Sequence, residues 1–231
     1  MLRESGRNYN MAQITKPLAV LIGVGIFIFC MFFKGQKEIQ RGGPRVPSKT
    51  GAWQDTKFTH MIDYKFGASL VYILVQNNVA SITDLGCGTG HYVKMIEDFN
   101  IKTQGYDGNP DTEKWDVSGG LCVGPVDIVK EKFWDVTDAV MSIEVAEHIP
   151  VEYEQAFINN LVKSARHLIF LSWGVPGQGG EGHVNGQWGA DVVKKMNQSG
   201  WERNDIYTNI LQKDASFDWL KKNVQVFNRR Q

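Results

Sequence analysis

The chain has 231 residues, 42% hydrophobic and 11% aromatic, with 25 Lys plus Arg against 25 Asp plus Glu, which excludes disordered and fibrous classes and makes one globular domain the default. Its three cysteines, Cys30, Cys87 and Cys122, are too few for a disulfide framework and lack the C-x-x-C pairing of a zinc site. The zero net charge is uneven: residues 1–50 hold eight basic and two acidic side chains and the rest hold 17 and 23, an acidic body poorly matched to nucleic acid.

Residues 1–16 read as an N-terminal tail. From Pro17 to Phe33 there is no charge, and this run is at the short end of what a helix needs to cross a hydrocarbon core of roughly 30 Å. With Lys16 and Lys34 at its ends, 17–33 is expected to be a single transmembrane anchor. A cleaved signal peptide fits less well, since no small-x-small site follows. The basic excess on the carboxyl side (Lys34, Lys37, Arg41, Arg45, Lys49) leans toward a cytosolic body. The sequon Asn197-Gln198-Ser199 would matter only if the body were lumenal. Residues 34–51, rich in Gly, Pro and basic side chains, are expected to be a tether or a stripe on anionic headgroups.

In the body, 52–231, helix and strand alternate. His60 to Val79 places Ile62, Phe66, Leu70, Ile73 and Leu74 at helical spacing, and Ser81 to Leu85 is a short strand. Tyr92 to Phe99 is amphipathic, Thr103 to Tyr106 strand-like, Ala139 to Ile143 a buried strand and Glu152 to Ala165 a helix. His167 to Trp173 is apolar and β-prone, Asp191 to Gln198 helical, and Val224 to Phe227 a last strand. Apolar strands separated by helices predict a Rossmann-like, doubly wound, mostly parallel α/β sheet of about seven strands with helices on both faces. Its ligand crevice should lie at the carboxyl ends of the strands.

There the sequence reads Asp84-Leu85-Gly86-Cys87-Gly88-Thr89-Gly90. The three glycines permit a tight turn and close approach of a ligand to main-chain N–H groups. A dinucleotide fingerprint, G-x-G-x-x-G, would need glycine at position 91, where His91 stands, so a nicotinamide oxidoreductase is disfavoured.

This D-x-G-x-G-x-G loop resembles motif I of the class I S-adenosylmethionine-dependent methyltransferases, and three further elements follow in the family's order. Gly105-Tyr106-Asp107-Gly108-Asn109 ends the next strand, and the resemblance implies that the Asp107 carboxylate takes the ribose hydroxyls. Val126-Asp127-Ile128 is similar to the segment that meets the adenine. Glu144-Val145-Ala146-Glu147-His148-Ile149-Pro150 resembles the E-x-x-E-H-I element of the small-molecule, methyltransferase-11-like type. The resemblance implies S-adenosylmethionine as cofactor, held by Asp84, Gly86, Cys87, Gly88, Gly90, Asp107, Gly108, Asp127, Ile128 and Glu144. Asp84 would support the loop and the methionine amine, and the carboxylates would oppose the cofactor's positive charge. For each there is a plainer alternative: loop support for Asp84, a turn cap for Asp107, a surface position for Asp127.

Methyl transfer needs alignment of the acceptor and exclusion of water, and a base only where the acceptor must lose a proton. The candidate catalytic residues are His148, after the fourth strand, and His183, in the glycine-rich loop Gly174 to Gln187. That loop is expected to be a mobile lid bringing His183, Asn185 and Gln187 to the acceptor. Trp53, Phe58, Tyr64 and Phe66 offer an apolar wall, or else belong to the core. Cys87 and His91 are too few for a metal site, so none is expected. The acceptor, whether small molecule, lipid or protein, is open. A tethered, non-catalytic module with the same fold is the competing function, and the membrane is the other expected partner.

Overall fold

The computed structural model describes residues 47–54, 60–130 and 136–230. The chain divides into units 1–35 and 36–231, and every described residue belongs to the second. The expectation of a single-pass membrane protein with a cytosolic body is corrected. Among the described residues no helix is long and apolar enough to cross a membrane, and the 17–33 run, with the tail and most of the tether, lies outside them. The longest described helix has 13 residues, about 20 Å at 1.5 Å per residue, against a core of roughly 30 Å.

Seven strands form one sheet in the order β3-β2-β1-β4-β5-β7-β6. They are β1 (Ser81–Leu85), β2 (Lys102–Tyr106), β3 (Cys122–Val123), β4 (Thr137–Ser142), β5 (Ala165–Ser172), β6 (Trp201–Arg203) and β7 (Val224–Arg229). Neighbours from β3 to β5 pair in parallel, whereas β7 runs antiparallel between β5 and β6. Helices α1 (Tyr64–Gln76), α2 (His91–Glu97), α3 (Thr112–Trp115), α4 (Glu154–Ser164), α5 (Gly189–Gln198), α6 (Asp205–Asp214) and α7 (Leu220–Asn223) connect them.

The central strands β4 and β5 carry apolar side chains on both faces because successive residues enter different cores. Ala139, Met141, Leu168, Phe170, Val224 and Val226 face one core with Phe66, Leu70, Ile73 and Leu74 of α1. Val140, Ile169, Leu171 and Phe227 face the other, with Phe157, Ile158 and Leu161 of α4. The doubly wound, mostly parallel sheet is therefore as expected from the sequence.

Two departures position the site. The helix expected from His60 begins only at Tyr64, because the Asp63 carboxylate accepts from the N–H groups of Lys65 and Phe66 as an N-cap. His60, Met61 and Ile62 are left outside it, lining a cavity. Residues 47–54 pack on the same cavity: Pro47 bridges Trp53, and the Thr50 hydroxyl donates to Asp127 at 3.1 Å.

Candidate active site

The cavity, of about 380 Å³, opens at the carboxyl ends of β1, β2 and β4, beside the switch point where the winding reverses. It is lined by Gly86, Cys87 and Thr89 of the glycine loop, by Asp84, Asp107, Gly108, Asp127, Ile128 and Glu144, and by His148 and His183, whereas Gly88 and Gly90 shape the loop without lining the cavity.

The loop after β1 is built by its glycines and by Asp107. Gly86, Gly88 and Gly90 have φ of 96°, 53° and 74°, the left-handed region that side chains with a Cβ resist. The N–H groups of Gly86 and Cys87 donate to the Tyr106 carbonyl at 2.7 and 3.2 Å. Asp107 closes the loop, its Oδ2 accepting from Gly88 N–H at 2.8 Å and its Oδ1 from Asn109 N–H at 2.9 Å. Thus the expected ligand carboxylate is also the turn cap; a carboxylate offers about four lone-pair sites, so both oxygens keep capacity for a diol. A Cβ on Gly88 would stand 2.8 Å from the His60 ring, so the close approach there is to an imidazole of the chain itself.

Burial pushes Asp107 up from the usual carboxylate range, and the N–H groups of Asn109, Gly88 and Gly108 pull it back. Asp84 is raised well above that range, first by burial and then by the charge of Asp107. Because the native value exceeds the unfolded one, Asp84 contributes stability that is fully present in acid and is lost as pH rises through the native value. In the ligand-free chain Asp84→Asn is therefore expected to raise the melting temperature at neutral pH and flatten its pH dependence. The rise should be at least about 2 °C, the shift roughly 1 kcal/mol gives a domain of this size, with weaker binding of any cationic ligand. Calorimetric melts between pH 5 and 8 check this.

Asp127 accepts from Thr50 and from Val129 N–H and pairs with Lys130 at 3.1 Å, holding residues 47–54 against the site. Ile128 presents its side chain to the cavity and its carbonyl to Asn160 at 2.6 Å. Glu144 has φ 58°, a left-handed position uncommon outside glycine. Ser172 overdetermines it, its hydroxyl accepting from Glu144 N–H at 2.6 Å and donating to Oε1 at 2.8 Å, while Asn223 donates to the same oxygen at 3.0 Å.

Cys87 lines the cavity but is joined to Cys122 of β3 in a disulfide with Cα atoms 6.3 Å apart. A framework of bridges is absent among the described residues, yet one bridge stands where none was anticipated. His91 takes no part with Cys87, its Nδ1 lying 2.7 Å from the Thr89 hydroxyl.

His148 and His183 are brought together, with ring centroids 4.9 Å apart. Trp53 meets His148 edge-on at 5.2 Å and lines the cavity. Phe66, by contrast, is core, and Phe58 lies outside the described residues. The expectation that Asn185 and Gln187 face an acceptor is corrected: their side chains turn inward to the Glu154 carboxylate at 3.0 and 3.3 Å, beside Lys195. The N–H groups of Val184 and Asn185 both donate to the Glu147 carbonyl, at 2.9 and 3.0 Å. That half of the loop is anchored rather than a swinging lid, because its amide side chains have partners in the interior.

The residue missed from the sequence is Glu147. It is fully buried beneath the two histidines, and burial together with the charge of Glu144 pushes it up to about 8. The second glutamate of E-x-x-E-H was in view; only its facing His183 across 35 intervening residues was not.

No protein-family model and no curated protein matches the sequence. Solved structures do. Magnesium protoporphyrin IX methyltransferase (ChlM) from Synechocystis PCC 6803 has 17% identity and a TM-score of 0.54, over 71% of this chain and 81% of that one. The methyltransferase domain of bacterial CtHen1 has 17% identity and a TM-score of 0.55, over 72% and 98%. The sugar N-methyltransferase KedS8 from Streptoalloteichus sp ATCC 53650 has 12% identity and a TM-score of 0.56, over 72% and 87%. The chain thus has the class I methyltransferase fold. At these identities the likeness is one of architecture.

Proposed function

We propose that the chain is an S-adenosylmethionine-dependent methyltransferase. The observation that carries this reading is one cavity lined by the glycine loop, four carboxylates and two histidines. It is supported by the structures of ChlM with bound S-adenosylhomocysteine and with bound S-adenosylmethionine.

The residues fit such a cofactor. Asp107 retains lone pairs for two ribose hydroxyls, Asp84 is a buried carboxylate whose charge an ammonium group would offset, and Asp127 with Ile128 borders the space an adenine would take. When bound, the cofactor would supply an electrophilic methyl carbon on a positively charged sulfur. The chain's own work is to align an acceptor and keep water out. Trp53, His60 and Met61 form part of the wall that does so. Burial lowers the pKa of His183, which keeps its imidazole neutral near pH 7 and able to accept a proton from an acceptor hydroxyl or ammonium.

Incubation of the full chain with methyl-labelled S-adenosylmethionine and acceptors sorted by hydroxyl, amine and thiol tests the reading. Label transferred by the wild type and at least about tenfold less by Asp107→Ala supports it. Tight cofactor binding with no transfer to any class would favour a non-catalytic module.

A further inference from the structure

We propose that Glu147, His148 and His183 form a binding site for one divalent first-row transition-metal cation where the two histidines line the cavity. The three offer one ligand atom each, all within 4.8 Å of one another, and His183 Nε2 stands 3.8 Å from Glu147 Oε1. Ligands around such a cation lie about 3 to 3.5 Å apart, so side-chain movements of about one ångström close the set.

The second, independent observation is Glu147 itself. Its side chain is completely buried, and neither carboxylate oxygen makes a well-formed hydrogen bond, the nearby donors being the backbone N–H groups of Glu147 itself and of Gly174. A carboxylate buried with so few well-placed donors is poorly tolerated in a protein interior unless an opposite charge meets it. Its described side-chain neighbours include the two imidazoles, whose ring nitrogens lie close enough to share a cation with it. The carbonyl of Gly182 lies 3.2 Å from His148 Nδ1; a carbonyl only accepts, so this contact puts the proton on Nδ1 and the ring's lone pair on Nε2. Outer hydrogen bonds of this kind orient histidine ligands. The backbone bonds from Val184 and Asn185 to Glu147 fix the His183 loop to the helical turn that carries the other two ligands.

Two imidazoles and one carboxylate favour Mn²⁺, Fe²⁺, Co²⁺ or Zn²⁺ over Mg²⁺ or Ca²⁺, which prefer all-oxygen sets, and leave positions for water or an acceptor oxygen. The cation site stands without the methyltransferase reading. Only its role toward an acceptor rests on that reading: with their lone pairs on a cation, the histidines act on the acceptor through the metal and not as bases.

The test is titration of the full, chelator-stripped chain with Mn²⁺ alone, followed by electron paramagnetic resonance and thermal melting. One equivalent should bind and raise the melting temperature, and spin-echo spectra should show two imidazole nitrogens, one lost in each of His148→Ala and His183→Ala. Affinity should fall at least tenfold in those variants and in Glu147→Gln, and stay unchanged in His167→Ala, an exposed histidine on β5. Metal-free Glu147→Gln should melt no lower than the wild type, since it replaces a buried acid that lacks well-formed hydrogen bonds by a neutral side chain of the same shape, which shows that its loss of metal is not a loss of fold. Absence of saturable binding by the folded chain, or binding that survives both Glu147→Gln and His183→Ala, overturns the site. S-adenosylhomocysteine binding, measured on the same preparation, reports on the cofactor reading separately.

Discussion

Asp107→Ala is expected to lower affinity for S-adenosylhomocysteine by at least about a hundredfold. Hydrogen bonds to a charged group contribute about 1.5 to 3 kcal/mol each, and tenfold in affinity is about 1.4 kcal/mol. A diol on the lone pairs that Asp107 retains would make two such bonds. The variant also removes the acceptors for Gly88 and Asn109 N–H, so the glycine loop loses its closing contact and the melting temperature should fall as well. Asp107→Asn does not rescue the loop: one amide position is a donor and would face a backbone N–H. Binding measured by calorimetry beside the melting curves separates the two effects. Unchanged affinity in a folded Asp107→Ala chain would mean that the carboxylate is a turn cap only.

Gly86→Ala should destabilise the chain by about 2 to 5 kcal/mol. A φ of 96° is outside what alanine adopts readily, at a cost of about 1 to 2 kcal/mol. A Cβ there would also stand 2.3 Å from Val145 Cγ2, and overpacking of a filled interior adds about 1 to 3 kcal/mol. Val145 belongs to the turn bearing Glu144, Glu147 and His148, so the collision displaces that wall of the cavity. Pairing Gly86→Ala with Val145→Ala should recover the overpacking part and leave the backbone part, a coupling that urea unfolding of the four species measures. Strictly additive losses would show that the two residues do not meet.

What the sequence revealed and what it hid divide along sequence distance. The glycine loop, Asp107 and the alternation of β1, β2, β4 and β5 with helices are written in contiguous patterns: close glycines, apolar runs and an acid at a strand end. Strand β3 has only two residues among glycines and leaves no periodic signal. The antiparallel course of β7 and the existence of β6 depend on pairing Trp201 with Arg229 and Arg203 with Phe227, which no local pattern encodes. Helix α6 did leave a signal, since Asn204 caps it by accepting from Tyr207 N–H at 2.9 Å.

The histidine cluster was legible residue by residue but not as a constellation. His148 and His183 stood out for their positions after strands, while Glu147 gains its meaning only when the loop from β5 folds its backbone onto it. Asn185 and Gln187 mislead because a glycine-rich loop suggests motion, and their buried partners Glu154 and Lys195 lie on other elements. Likewise the meeting of Cys87 with Cys122 follows from β2 lying between their segments: a Cβ on Gly105 would stand 2.7 Å from each sulfur.

Titration of the full chain with S-adenosylhomocysteine, with NADH as the control, asks directly whether the cavity takes an adenosyl cofactor. A methyltransferase site should give one saturable transition with the adenosyl ligand, no response to NADH, and binding weakened at least about a hundredfold in Asp107→Ala. A demonstrably folded chain that binds neither ligand, or that binds NADH through the same loop, would contradict the methyltransferase reading.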